Sequence, residues 1–335
     1  MIDDQLIFVS FIILVALVFD FTNGAHDAAN SVATIVSTKV LTLGQALFFA
    51  AFFNFIAFAI FGTAVAKTVG SGLVNLSIVT PSVIFAGLLG AILWNLLTLF
   101  LALPTSSSHA LIGGYAGAAT AKAGFGAILY AGWLKTLVFI LVAPLLGFAL
   151  SAFFLILSSW ILYWRRILPS TVKTWSAKLQ LVSAGFYSLG HGSNDAQKTI
   201  GIITGLLFSA GYISHFAIPF WVVIMAYVTI ALGTLYGGRR IIKTMGQKIF
   251  RLRPIDGVCA ESASATSIFL ATFLGVPVST THVIAGAISG VGAVEHASAV
   301  KWDVALRIVW AWVFTIPAAA IFAGVLFLAG SLFVG

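Results

Sequence analysis

Eight residues near the start of this chain return half a chain later. Asn23-Gly24-Ala25-His26-Asp27-Ala28-Ala29-Asn30 recurs 168 positions on as His191-Gly192-Ser193-Asn194-Asp195-Ala196-Gln197-Lys198, each time inside a long apolar stretch. Two further pairs keep the same order. Gly62-Thr63 matches Gly233-Thr234 at a spacing of 171, and Pro104-Thr105-Ser106-Ser107-Ser108-His109 matches Pro277-Val278-Ser279-Thr280-Thr281-His282 at 173. Three collinear matches whose spacing drifts slowly are the mark of a duplication, so the chain is expected to fold as two related halves.

Those halves are built for lipid. Hydrophobic residues make up 61% of the chain and charged ones 8%, and several apolar runs exceed the roughly 20 residues that cross a bilayer core. The pattern predicts an all-α polytopic membrane protein. The runs and their polar breaks place elements near 6–21, 25–38, 44–66, 82–103, 106–121 and 126–162. The same order repeats near 179–190, 194–210, 216–238, 258–276, 280–292 and 303–334, with no segment that reads as a soluble domain. The expected organisation is a first repeat over 1–164, a cytoplasmic linker over 165–178 and a second repeat over 179–335.

Asp3 and Asp4 stand where a signal peptide would carry basic residues, so the first apolar run is expected to be retained. The single Cys259 excludes a disulfide framework and a cysteine metal cluster. The net charge of +8 does not point to nucleic acid, because the basic residues cluster between spans, as the positive-inside rule would place them.

The densest clusters are Arg165, Arg166, Lys173, Lys178 and Arg239, Arg240, Lys243, Lys248, Arg251, Arg253. Both are expected in the cytoplasm, which requires an even number of crossings between them. That holds if each Asp motif interrupts one crossing and each Ser/Thr-rich motif is the tip of a hairpin returning to its own side. Each half then crosses an odd number of times, the repeats are inverted, and both termini lie outside. Inverted repeats with interrupted helices are the architecture of secondary transporters, whose sites lie near the bilayer midplane.

The chemistry at the breaks fits that role. Thr105, Ser106, Ser107 and Ser108, and Ser279, Thr280 and Thr281, follow a proline and open an apolar helical run, placing them at N-cap and first-turn positions. Free backbone N–H groups, the helix dipole and hydroxyls then aim at one place, which suits a tetrahedral oxyanion such as phosphate or sulfate. Plain helix capping is the alternative for these hydroxyls, and their duplication favours binding. Asp27 and Asp195 are ionisable groups at membrane depth, a placement that is costly and functional by default. With Asn23, Asn30 and Asn194 they offer hard oxygens that, completed by unwound backbone carbonyls, would hold a small cation.

His109 and His282, one turn inside their helices, are expected to bond neighbouring carbonyls. His26 abuts Asp27 and could tune its protonation. Glu261 is expected near a helix N-terminus, and Lys198 lies one turn after Asp195, where it would neutralise that charge. Asp20 has Ser188 as its repeat mate, so the symmetry argument does not cover it.

Gly24 to Asn30, Gly192 to Asp195, Pro277 to His282 and Gly237 to Gly246 together resemble the inorganic phosphate transporter family, the type III cation–phosphate symporters. The resemblance spans residues 19 to 317. It implies phosphate uptake coupled to a cation, inverted repeats, a homodimer, and functional roles for Asp27, Asn30, Asn194 and Asp195. Two features depart from the family pattern. Asn54 stands where many members carry a glutamate in the second helix, with Glu261 taken as the matching acid of the second half. Gln197-Lys198 replaces the small residue and Asn that close the motif in the first half.

The expectation is a secondary active phosphate importer working by alternating access, with sodium as coupling ion and no other cofactor. A proton-coupled phosphate or sulfate permease, with a proton carried by Asp27 and His26, would use the same residues. An anion channel would need rings of cationic side chains, for which Lys198 is the one clear candidate at depth. No nucleophile–base pair, HExxH or P-loop supports an enzyme.

Overall fold

The computed structural model describes residues 4–237, 241–242 and 250–334. Arg239, Arg240, Lys243 and Lys248 of the second basic cluster lie outside those residues. Eleven α-helices carry the described fold. They are α1 Asp4–Ser37, α2 Leu43–Ile56, α3 Ala64–Ser71, α4 Pro81–Phe100, α5 Ser107–Ala123 and α6 Tyr130–Trp164, then α7 Pro169–Ser209, α8 Phe220–Tyr236, α9 Pro254–Phe273, α10 Thr280–His296 and α11 Trp302–Val334. Of these, α1, α4, α6 and α11 are long and apolar enough to cross a membrane. Pro81, Pro169 and Pro254 open their helices at the first helical position, where a missing N–H costs nothing.

The Asp motifs do not interrupt their helices. α1 runs through residues 23–30 and α7 through 191–198 without a break, so no unwound carbonyls are available there. Ala, Asn and Asp keep their backbone N–H and C=O groups in the helical ladder, no proline lies in either motif, and Asn30, Asn194, Gln197 and Lys198 find partners outside their own helix. The breaks fall elsewhere. Pro104 and Pro277 separate α4 from α5 and α9 from α10. The run expected as one helix over 44–66 splits into α2 and α3, bent by 85°. Residues 165–178, expected as a linker, mostly belong to the first turns of α7.

The two halves interlock. α5 packs on α11 as α10 packs on α6, and α1 packs on α8 as α7 packs on α2. Small residues permit this closeness. A Cβ on Gly113 or Gly117 would meet the carbonyl oxygens of Ile316 or Ala320 at 2.6 and 2.3 Å. A Cβ on Gly286 or Gly290 would meet those of Pro144 and Phe148, each at 2.3 Å. The same comparison shows that Gly62-Thr63 and Gly233-Thr234 are not structural equivalents. Gly24 touches Ile230 and its mate Gly192 touches Asn54, which shifts the correspondence of α2 and α8. Gly62 and Thr63 lie at the break before α3, whereas Gly233 and Thr234 sit inside α8. A shared dipeptide is too short to fix a register.

The polarity of the molecule is that of a membrane protein. Leu141, Leu145, Ile321 and Val325 on α6 and α11 are each more than 60% exposed, whereas Asp27, Asn194 and Asp195 are at most 2% exposed.

Candidate functional site

On α1, Asp20, Asn23, Asp27 and Asn30 recur at three- to four-residue spacing and so share one face. Ser188, His191, Asp195 and Lys198 do the same on α7. All eight are buried. The starts of α5 and α10 meet these faces from the opposite halves.

Ser106 and Ser279 are the N-caps of α5 and α10, and each Oγ accepts from a backbone N–H, that of His109 or His282, at 3.2 Å. Each hydroxyl thus caps its helix through a lone pair, which leaves its O–H able to donate. The following positions reach the motifs. The Thr280 hydroxyl donates to Asp195 Oδ2 at 3.5 Å, and the Thr281 hydroxyl to Asp27 Oδ1 at 3.4 Å and to the Thr105 carbonyl at 3.2 Å. Ser108 Oγ donates to the Val278 carbonyl at 3.2 Å. Ser107 Oγ, at the first helical position of α5, is buried with no hydrogen-bond partner among the described residues. Thr105 donates to Thr98 at 2.9 Å.

The two carboxylates have different companions. Asp27 Oδ1 lies 2.9 Å from His26 Nδ1. The amide of Asn30 donates to Thr281 Oγ1 at 2.7 Å, while the side-chain oxygens of Asn23 and Asn30 are buried acceptors without a donor among the described residues. Asp195 Oδ1 pairs with Lys198 Nζ at 2.5 Å, and its Oδ2 lies 3.4 Å from His191 Nε2. His191 Nδ1 faces Asn54 Oδ1 at 3.1 Å, and the Asn54 amide donates to Thr234 at 2.9 Å. One potential ligand atom from each of Asp27, His191 and Asp195 lies within 4.8 Å of the other two, so both motifs converge on one buried place.

Asn194 has different neighbours. Its amide donates to Thr272 at 3.0 Å and to the Val276 carbonyl at 3.1 Å, and its oxygen accepts from the Val278 N–H at 3.1 Å. It holds the α9–α10 connection against α7. The first-half counterpart is His26, whose Nε2 lies 3.5 Å from Thr98 and 3.4 Å from Thr105.

The match to the model of the phosphate transporter family covers residues 23–323. The chain belongs to the phosphate transporter family. A Rhizobium meliloti (strain 1021) protein named a probable low-affinity inorganic phosphate transporter is 56% identical over 96% of each chain. A Bacillus subtilis (strain 168) protein of the same name is 44% identical over 95% of this chain and 96% of its own. The fold matches a solved structure titled the sodium-dependent phosphate transporter with a TM-score of 0.87, at 23% identity, covering 97% of this chain and 99% of that one. The resemblance read from the motifs is thus borne out, and the protein is a multi-pass membrane transporter, not an enzyme.

Several placements in this phosphate transporter family member correct the sequence reading. His109 does not bond a carbonyl. Neither ring nitrogen has a partner among the described residues, and its ring meets that of His282 edge-on at 4.5 Å. His282 stacks on Trp312 at 3.7 Å. Glu261 lies two turns inside α9 and accepts from Thr34 at 2.5 Å, Ser183 at 2.5 Å and Gln180 at 3.0 Å. Because α9 packs as the counterpart of α4, Glu261 is not the mate of Asn54 on α2. Gln197 is a cap. Its Oε1 accepts from the N–H groups of Val65 and Ala66 at 2.9 and 3.2 Å, holding the start of α3. The roles of His191, Gln197 and Thr98 were missed from sequence. A spacing of 174 between Thr98 and Thr272 would have extended the repeat and found one of them.

Proposed function

We propose that this chain imports inorganic phosphate together with a cation, by alternating access around the site at α1, α7 and the starts of α5 and α10. The observation that carries the reading is that two helix N-termini, one from each half, meet two buried carboxylates in a single place. First-turn N–H groups and the Ser107 hydroxyl, unpartnered among the described residues, suit the oxygens of a tetrahedral dianion. A bare phosphate beside Asp27 and Asp195 would be repelled, so cations must accompany it. Asn23 and Asn30 supply side-chain oxygens unpartnered among the described residues, and Asp27 supplies its carboxylate, for one. We assign Asn194 to holding the α9–α10 connection, since both ends of its amide are engaged there. The halves are read as inverted repeats with both termini outside.

Sodium is the favoured ion, on the hard-oxygen character of the first-half face and the sodium dependence named for the matching structure. A proton is the second reading, and the 2.9 Å contact of His26 with Asp27 supports it. The test is uptake of radioactive phosphate into proteoliposomes under an inward sodium gradient, a proton gradient, or neither, with sulfate as competitor. Sodium-driven uptake supports the first reading and proton-driven uptake the second. Gradient-independent flux would show a channel and refute both.

A further inference from the structure

We propose that Lys198 is a tethered cation: its ammonium permanently holds the cation place beside Asp195, leaving the Asp27 side as the one place in the site for an exchangeable ion. This deepens the phosphate–cation reading above and rests on it.

The side chain of Lys198 is 1% exposed, and its ammonium reaches three oxygens. It donates to Asp195 Oδ1 at 2.5 Å, to the Val278 carbonyl at 2.9 Å, and to the hydroxyl of Ser108. A carboxylate, a carbonyl and a hydroxyl form the mixed oxygen shell that a small hard cation takes in proteins. The first half builds the same scaffold from equivalent positions. Asn30, the repeat mate of Lys198, donates to Thr281, the mate of Ser108, and Thr281 donates in turn to the Thr105 carbonyl as Ser108 does to Val278. The two arrangements differ in charge. Around Asp27 the motif presents the oxygens of Asn23 and Asn30, unpaired among the described residues. Around Asp195 the corresponding positions are His191 and Lys198, and the lysine already satisfies one carboxylate oxygen. A sodium ion placed there would have to displace a covalently attached ammonium or lie against it. The second half therefore does not fit an exchangeable cation, whereas the first half does.

The consequence is a cation count, which can be read without transport. Saturable binding of radioactive sodium would be measured on the purified full-length chain in detergent, without phosphate or a gradient, for the wild type, Asp27→Asn and Lys198→Asn. The expected result is one sodium ion on the wild type, none on D27N, and two on K198N, and a wild type that binds none would overturn the proposal. Folding would be checked by melting temperature and size exclusion. Should K198N fail to fold, the wild-type and D27N counts still decide. Two ions on the wild type, an ion that survives D27N, or an unchanged count on folded K198N would each overturn the proposal. A failed phosphate uptake assay would leave the count standing, and a contrary count would leave phosphate transport standing.

Discussion

Asp27 and Asp195 read as equals in the sequence, yet their surroundings make them behave differently. Asp195 is one partner of a buried ion pair with Lys198. Removing one member of such a pair strands the other and costs about 3–5 kcal/mol. Asp195→Asn is therefore expected to lower the melting temperature markedly, and the double change Asp195→Asn with Lys198→Met to recover most of the loss. Intrinsic tryptophan fluorescence during heating would read both. Asp27→Asn, with no lysine partner among the described residues, is expected to fold normally and to lose coupled uptake. Equal destabilisation by both single changes would show that the asymmetry has no energetic weight. The sequence made the carboxylates and the helix-start hydroxyls legible because duplication set them apart from ordinary caps. The division of labour was hidden. Whether Asn194 faces a cation or a loop depends on which neighbour lies across the helix interface, and local pattern does not encode that.

The elements were legible where their ends carry strong local chemistry. Pro104 and Pro277 announce the starts of α5 and α10, and the structure breaks there. The Asp motifs were taken for breaks because polar residues at membrane depth often accompany unwinding, but Ala, Asn and Asp continue a helix when partners exist on adjacent ones. The true kink before α3 is stabilised from a distance by Gln197, whose oxygen takes the Val65 and Ala66 N–H groups. Loss of a helix cap costs about 1 kcal/mol. Gln197→Ala should thus speed hydrogen exchange across residues 64–71 while leaving α4 unchanged; equal protection in both proteins would remove the cap from the account. Close packing gives a second expectation at this scale. A Cβ at Gly290 would lie 2.3 Å from the Phe148 carbonyl oxygen, whereas one at Gly44 meets nothing within 4 Å. Overpacking costs about 1–3 kcal/mol, so Gly290→Ala should lower the melting temperature and Gly44→Ala should not.

For the whole molecule, the boundary drawn by the duplication is not the boundary drawn by packing. The sequence halves divide near residue 165, but α11 of the second half packs with α4 and α5 of the first, and α6 of the first packs with α9 and α10 of the second. Each of these bundles has a core of interdigitated small residues and backbone, which deforms less readily than it moves as a unit. Alternating access is then expected to displace such mixed bundles against α1, α2, α7 and α8, not one sequence half against the other. A disulfide can tell the two apart. A Cβ on Gly324 of α11 would lie 3.7 Å from the Cβ of Ala121 on α5, close to the separation a disulfide needs. With Cys259 replaced by Ser, Ala121→Cys and Gly324→Cys would join the first sequence half to the second while staying inside one bundle. Oxidation should raise the melting temperature and leave phosphate uptake in proteoliposomes near its reduced level. If uptake stopped on oxidation and returned on reduction, α5 and α11 would have to separate during the cycle, and the moving bodies would follow the duplicated sequence instead of the packed bundles.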